Sequence, residues 1–251
     1  MSTVGTTWLR QLGSRAVDLM FPPGCVVCGV ELEELLDGVA LCGKCRSASP
    51  RLAWATCARC AARVPEIPGS TPDCKHCRDH KIQFDQTFAL GAYDGLLRDL
   101  VLEMKGDLSN RLANAFGKLI SLHWGRAIRA IKPDAVVPIP MHAWRRLSRR
   151  ANPAAALAAS LGRQLGLGVE ADLLQWRRDA SAQVGLSQRG RFRNMRGVMQ
   201  VRCSYELDAP RVIVVDDILT TGATCSEAAR ALKRAGAAQV TVVVVGRTSG
   251  I

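Results

Sequence analysis

Two neighbouring carboxylates and a threonine-rich turn follow an apolar run near the end of this 251-residue chain. The segment reads Val212-Ile213-Val214-Val215-Asp216-Asp217-Ile218-Leu219-Thr220-Thr221-Gly222-Ala223-Thr224. The apolar run predicts a buried strand, and a helix is predicted over 223–235. The turn would present backbone N–H groups and hydroxyls at the positive end of that helix, where anions bind. Because carboxylates repel phosphate, Asp216 and Asp217 would hold hydroxyls or a metal-bound group beside it. The segment therefore predicts a site for a ribose phosphate.

The same residues also permit a purely structural interpretation. In it, Asp216 and Asp217 shape the turn and cap the helix, and the threonines are ordinary residues of a helix start. An isolated Asp-Asp pair would favour that interpretation. Here a hydrophobic strand precedes the pair and Thr-Thr-Gly-x-Thr follows it. That order favours the phosphate site, because ligands bind at the carboxyl ends of parallel strands.

Eight of the ten cysteines form four Cys-x-x-Cys pairs before residue 80. The pairs are Cys25/Cys28, Cys42/Cys45, Cys57/Cys60 and Cys74/Cys77, and a shift of 32 positions superimposes the first four cysteines on the last four. Each pair supplies two of the four thiolates that a structural Zn²⁺ takes, so the repeat predicts a double zinc ribbon with two Zn²⁺ ions. The repeat favours sequential pairing. A cross-braced pairing, an iron–sulfur cluster and redox-active thiols are the alternatives.

Composition and charge narrow the class of protein. A hydrophobic fraction of 48% is enough for a packed core, which excludes intrinsic disorder over the whole chain. No run reaches the roughly 18 apolar residues of a membrane span, and no signal-peptide core is visible, so a cytoplasmic protein is expected. Residues 1–85 carry 10 Lys/Arg and 9 Asp/Glu, and residues 86–251 carry 24 and 13. The net charge of +12 thus divides as +1 and +11, and the basic second part indicates a phosphate-rich partner.

From residue 86 onward, helical periodicity alternates with short β-branched runs, which predicts an α/β fold with a parallel sheet. Strands are expected over 87–93, 135–139, 198–201, 212–215 and 240–245, and helices over 96–104, 112–131, 154–165 and 223–235. The polar, arginine-rich stretch 177–196 is expected to be a long loop or mobile hairpin. Three parts follow from this: an N-terminal amphipathic helix over 1–20, the double zinc ribbon over 21–85 and the α/β domain over 86–251.

Two groups of arginines lie in the basic part of the chain. They are Arg145, Arg146, Arg149 and Arg150 in the first group and Arg191, Arg193 and Arg196 in the second. One or two guanidinium groups are enough for a pyrophosphate, whose oxygens they match bidentately. The surplus fits either a nucleic-acid backbone or an ordinary solvated surface, and aromatic residues for base stacking are few.

The segment VIVVDDILTTGAT at 212–224 resembles the 5-phosphoribosyl-1-pyrophosphate (PRPP) motif of type I phosphoribosyltransferases over its whole length. Nearly the whole chain resembles the ComF family more narrowly. The family's order is present as DLMFPPGCVVCG at 18–29, the four cysteine pairs, Met104-Lys105-Gly106, VPIP at 137–140, an arginine cluster, Gln183 and Leu186 with Arg189 and Asn194, and the PRPP motif. The chain departs from the family after the arginine cluster, where only Asn152 of Gly-Phe-Asn-Gln is kept.

The resemblance implies a type I phosphoribosyltransferase domain over 86–251, a site for PRPP with Mg²⁺, and a role for each matching residue. Asp216 and Asp217 would hold the ribose hydroxyls as the catalytic pair. The 5-phosphate would lie against the turn formed by Thr220, Thr221, Gly222, Ala223 and Thr224. The pyrophosphate loop would correspond to Val137, Pro138, Ile139 and Pro140.

Three functions are compatible with this reading. The first is phosphoribosyl transfer to an unidentified acceptor. The second, implied by the ComF resemblance, is a single-stranded-DNA-binding factor that acts with DNA-uptake proteins in competence, its PRPP site being vestigial or regulatory. The third is a PRPP-sensing regulator without chemistry. Chelation of zinc is expected to unfold the ribbon region and to spare the phosphoribosyl domain.

Overall fold

The computed structural model describes residues 24–32, 39–47, 52, 55–64, 74–141, 152–177, 187–202 and 208–248. The predicted N-terminal helix over 1–20 lies outside these residues. The chain divides into two compact units, Met1–Ala48 and Ser49–Ile251, so the two cysteine quartets belong to different units. Among the described residues, no helix has the length and apolar character needed to cross a membrane.

A five-stranded sheet forms the centre of the second unit, and all of its strand pairs are parallel, as predicted. Its strands are β1 (Gln86–Ala92), β2 (Ala135–Pro138), β3 (Gly168–Val169), β6 (Arg211–Leu219) and β7 (Gln239–Arg247), in the order β1-β7-β6-β2-β3. Val212 to Val215 of β6 are all buried, because both faces of an internal parallel strand are covered. A separate antiparallel pair consists of β4 (Leu174–Trp176) and β5 (Met199–Val201).

The four predicted helices are present and begin and end within one residue of the predicted positions, and three short helices that were not predicted accompany them among the described residues. They are α1 (Gly43–Ser47), α2 (Lys75–His80), α3 (Gly95–Met104), α4 (Arg111–Ala130), α5 (Pro153–Leu165), α6 (Gln188–Met195) and α7 (Ala223–Arg234). The bounds of α5 could be predicted because the residues at both of its ends favour the start and the end of a helix. The Asn152 side chain accepts from Ala154 N at 3.1 Å, Pro153 occupies the first turn, and Gly166 ends the helix with φ 72°.

The prediction of a loop over 177–196 was wrong in its second half, where α6 forms. Ser187 caps the helix, its hydroxyl accepting from Gly190 N at 3.2 Å. The helix buries only Met195 fully, so its sequence lacks the apolar stripe by which helices are recognised. The strands on either side of this stretch, β4 and β5, pair with each other antiparallel.

The second cysteine quartet shares a hydrophobic core with the sheet. Cys60, Cys74 and Phe84 lie in the same cluster of buried residues as Val214 and Val242. Two hydrogen bonds join the Cys57/Cys60 turn to β1: Thr87 N donates to Ala58 O at 3.1 Å, and Thr87 Oγ1 donates to Arg59 O at 2.6 Å. This quartet is therefore built into the α/β unit rather than attached to it by a linker.

Candidate functional site

The first metal centre is the quartet Cys25, Cys28, Cys42 and Cys45, whose sulfur atoms all lie within 4.8 Å of one another. Cys28 Sγ is 3.7 Å from Cys42 Sγ, and Cys42 N donates to Cys25 Sγ at 3.4 Å. Although burial raises the pKa of Cys25, backbone N–H groups led by that of Cys42 lower it to about 6. A thiol held towards its thiolate form is ready to ligate a metal.

The second metal centre is the quartet Cys57, Cys60, Cys74 and Cys77, also within 4.8 Å. Cys57 Sγ lies 3.8 Å from Cys77 Sγ, and Cys60 Sγ lies 3.6 Å from Cys74 Sγ. A tetrahedron with Zn–S bonds of 2.3 Å has S···S edges of about 3.8 Å, so the donor set and the spacing fit Zn²⁺ at both quartets. The pairing is sequential in both, as the repeat favoured.

The predicted carboxylate pair lies within β6, at the carboxyl half of a strand that β7 and β2 flank. Asp217 N donates to Asp216 Oδ1 at 2.9 Å, and Lys105 Nζ lies 3.0 Å from Asp217 Oδ2. Burial, followed by the charge of Asp217, raises the pKa of Asp216 well above its ordinary value. Lys105 neutralises one of the two carboxylates, which leaves this sheet edge suited to a further cation or to hydroxyl donors.

We call residues Thr220 to Gly222 the phosphate turn, which connects β6 to α7. Gly222 has φ +81° and directly precedes α7, and Thr221 Oγ1 accepts from Ala223 N at 3.4 Å. The first N–H groups of a helix have no intrahelical acceptor, and the helix dipole places partial positive charge there. The turn can therefore receive an anion, next to carboxylates that can receive hydroxyls.

The VPIP segment over 137–140 lies at the same edge of the sheet, since Pro138 pairs with Val215 across β2 and β6. All four residues are buried. Ile139 N donates to Val215 O at 2.9 Å, while its carbonyl accepts from Asn152 Nδ2 at 3.1 Å. Trp176 Nε1 donates to Pro140 O at 2.9 Å. The segment thus supports the floor of the site, and its contact with pyrophosphate stays a prediction.

Two arginines of the second predicted group, Arg193 and Arg196, line a cleft of about 670 Å³, here called the arginine cleft, and Arg191 does not line it. Arg193 and Arg196 line it from α6 and its end, while His80, Lys81 and Arg230 line it from other elements. The His80 and Phe192 rings stack in the cleft, with centroids 4.6 Å apart and planes 2° apart. Arg191 is half-buried on the same helix. Arg145, Arg146, Arg149 and Arg150 lie outside the described residues.

Four residues without a predicted role contribute to these sites. Lys105 was visible in Met104-Lys105-Gly106 without an assigned partner. Glu227 is buried, pairs with Arg230 at 2.7 Å and accepts from Gly197 N at 2.8 Å, which fixes the end of α6 on α7. His76 and Arg247 contact the phosphate turn. Their partners are distant in sequence, so no local pattern could reveal these contacts.

A parallel sheet with carboxylates near the end of a central strand and an anion-binding turn before the next helix defines an α/β domain whose ligand site lies at the carboxyl ends of its strands. The family described as phosphoribosyl transferase domain matches residues 124–249, and the family described as double zinc ribbon domain matches residues 16–79. The chain belongs to the phosphoribosyl transferase domain family. Together the two matches confirm the architecture on which the resemblance to ComF proteins rested.

Two relatives extend over almost the whole chain. The DNA utilization protein YhgH of Escherichia coli (strain K12) is 28% identical over 233 residues, covering 92% of this chain and 99% of the relative. Competence protein F of Haemophilus influenzae is 25% identical over 222 residues, covering 87% of this chain and 94% of the relative. A solved purine phosphoribosyltransferase from Pyrococcus horikoshii Ot3 has a TM-score of 0.33 and 15% identity over 65% of this chain and 88% of that chain, a likeness too remote to support an argument.

Proposed function

We propose that this chain binds PRPP and transfers its phosphoribosyl group to an acceptor. The observation that carries the proposal is the adjacency, along β6 and the start of α7, of a carboxylate pair and an anion-binding turn. A ribose phosphate carries its hydroxyls and its 5-phosphate close together. Its binding site therefore needs the carboxylate pair for the hydroxyls and the turn for the phosphate. The phosphate would accept from N–H groups of the phosphate turn, and Asp216 and Asp217 would accept from the ribose hydroxyls.

In the proposed reaction, the bond between C1 and pyrophosphate breaks, pyrophosphate leaves with the bonding electrons, and an acceptor lone pair forms the new bond to C1. The two carboxylates lie where they can stabilise the positive charge that develops on the ribose. Carboxylate oxygens are the ligands that Mg²⁺ takes, and Asp216 and Asp217 offer two carboxyl groups of which Lys105 pairs with only one, so the residues fit this ion. When bound, Mg²⁺ would neutralise charge on the diphosphate.

The double substitution Asp216→Asn/Asp217→Asn tests PRPP binding. Because the variant loses the charged acceptors for the ribose hydroxyls, its PRPP affinity is expected to fall by about 100-fold or more in isothermal titration calorimetry with Mg²⁺, at roughly 1.5–3 kcal/mol for each lost charged hydrogen bond. The matched control is Asp134→Asn/Asp208→Asn, which removes two exposed carboxylates that precede β2 and β6. Unchanged affinity in the first variant would contradict the assignment. Release of pyrophosphate on addition of acceptors then separates a transferase from a sensor.

Single-stranded DNA binding is a second candidate function, and the arginine cleft is the observation that favours it. Five basic residues, Lys81, Arg189, Arg193, Arg196 and Arg230, line the cleft together with the stacked His80 and Phe192 rings. Cations along a groove with an aromatic platform are what single strands need. The relatives' names, DNA utilization protein and competence protein, point in the same direction.

Salt dependence tests this second function. Each neutralised phosphate of a single strand contributes about −0.7 to the slope of log affinity against log salt. Substituting Arg191, Arg193 and Arg196 with Gln is therefore expected to flatten the slope for an oligonucleotide by about 2, as measured by fluorescence anisotropy. A control triple, Arg98→Gln/Arg126→Gln/Arg234→Gln, removes the same charge from exposed helix positions. Equal slopes for the two variants would leave these arginines as solvated surface.

A further inference from the structure

We propose that the second cysteine quartet holds the phosphate turn in its binding shape, with Arg247 and His76 as the positioning residues. Zinc at this quartet is then required for ligand binding more than 100 residues away along the chain. The inference concerns the same site as the proposed function and rests on it for the identity of the ligand. It reverses the expectation that the phosphoribosyl domain is indifferent to chelation.

Arg247 connects the quartet directly to the turn. Arg247 is the last residue of β7 and is 1% exposed. Nε donates to the carbonyl of the ligand residue Cys60 at 2.9 Å, and Nη1 donates to Leu219 O at 2.9 Å and also to Thr220 O. One rigid, planar group therefore fixes the distance between the Cys57/Cys60 turn and the start of the phosphate turn.

The quartet also supplies the negative charge that a buried guanidinium needs. None of the ion pairs among the described residues includes Arg247. Burial lowers the pKa of Arg247, and the nearby sulfur atoms of Cys60, Cys74 and Cys77 act in the opposite direction, in favour of the charged form. A zinc ion ligated by four thiolates carries a net charge of about −2, since metal-bound thiols are deprotonated. Metal-loaded, the quartet is the counter-ion of Arg247.

His76 holds the next carbonyl of the turn from the same ribbon. It lies on α2 between the ligands Cys74 and Cys77 and is buried. Its Nε2 is 2.9 Å from Thr221 O, and because a carbonyl only accepts, Nε2 is the donor. Directly behind the turn, an added Cβ at Gly222 would meet Phe84 Cζ at 3.4 Å and Ile82 Cδ1 at 3.7 Å, so the segment that follows α2 supports the turn as well.

Three consecutive carbonyls thus accept hydrogen bonds from the two positioning residues. Arg247 donates to Leu219 O and Thr220 O, and His76 donates to Thr221 O. A peptide plane whose carbonyl is fixed has its N–H fixed on the opposite side. Holding the carbonyls therefore aims the amides of the turn away from the ribbon, where an anion can reach them. The quartet preorganises the anion site, which is how such sites gain affinity.

The substitution Arg247→Lys tests the proposal with little disturbance, because lysine keeps the positive charge but cannot bridge Cys60 O and the two turn carbonyls. PRPP affinity in the full chain is expected to fall about tenfold or more, since a tenfold loss corresponds to the weakening of about one hydrogen bond to the charged phosphate. Hydrogen exchange in a peptide covering 218–226 is expected to speed up, while peptides of β1 stay protected. Cys77→Ser, with zinc content measured, should show both effects.

Arg211→Lys is the matched control, since Arg211 begins the same strand β6 and donates to Ile131 O at 3.1 Å. It should change neither readout. Normal exchange over 218–226 in both Arg247→Lys and zinc-depleted Cys77→Ser would overturn the inference, whether or not PRPP binds. Absence of PRPP binding by the unmodified chain, with faster exchange in the two variants, would instead contradict only the proposed ligand.

Discussion

Replacing Gly222 with valine is expected to abolish PRPP binding while the secondary structure stays intact. Gly222 has φ +81°, a backbone conformation that costs a residue with a Cβ roughly 1–2 kcal/mol. The new Cβ would meet Phe84 Cζ at 3.4 Å, and the two methyl groups of valine would have to displace Phe84 or Ile82. The turn is expected to shift instead, so the N–H groups that would bind the phosphate lose their preorganised positions. Calorimetry with PRPP and far-ultraviolet circular dichroism measure the two outcomes.

Gly166→Val is the control that separates backbone strain from loss of the site. Gly166 has φ +72° at the end of α5, and no atom lies within 4 Å of an added Cβ. The variant bears a similar conformational penalty at a comparable helix terminus. It should lower the free energy of unfolding and leave PRPP affinity unchanged. Equal affinity losses in the two variants would show that the phosphate turn is not where PRPP binds.

The sheet and most helices were predictable because their signals are local. Val240 to Val245 form a β-branched run without a polar residue other than Thr241, and such a run is buried wherever a parallel sheet exists. Asn152, Pro153 and Gly166 likewise mark both ends of α5 within the sequence itself. The cysteine quartets were predictable for the same reason, since each Cys-x-x-Cys pair spans only four consecutive residues.

The contacts that complete the site could not be predicted, because they join residues that are distant in sequence. In the sequence, Arg247 is a single charge at the end of an apolar run. In the structure it donates to the carbonyls of Cys60 and Leu219, which belong to two other parts of the chain. His76 lies beside a zinc ligand in the sequence, and its partner Thr221 is 145 positions away. Helix α6 was not predicted because it lacks an apolar face. Its C-terminal end is held by the buried Glu227, which accepts from Gly197 N.

Asp216→Asn is expected to stabilise the fold at neutral pH although it weakens PRPP binding. The hydrogen bond that Asp217 N donates to this side chain is kept, because asparagine retains a side-chain oxygen that can accept it. What disappears is a carboxylate whose pKa burial and the charge of Asp217 raise. The folded state binds that proton more tightly than the unfolded state, so this group's contribution to stability is greatest at low pH. It is lost as the pH rises from the ordinary aspartate pKa, about 4, through the raised value.

The difference in the free energy of unfolding between Asp216→Asn and the unmodified chain is therefore expected to grow with pH from about 4 and then level off. Each unit by which the pKa is raised corresponds to about 1.4 kcal/mol. Urea denaturation at a series of pH values measures this difference, with Asp208→Asn, at an exposed position, as the control. A constant difference would mean that Asp216 is no more costly to ionise in the fold than in the unfolded chain. A growing difference, together with weaker PRPP binding, would show that the fold sacrifices stability at β6 to keep a charged acceptor beside the phosphate turn.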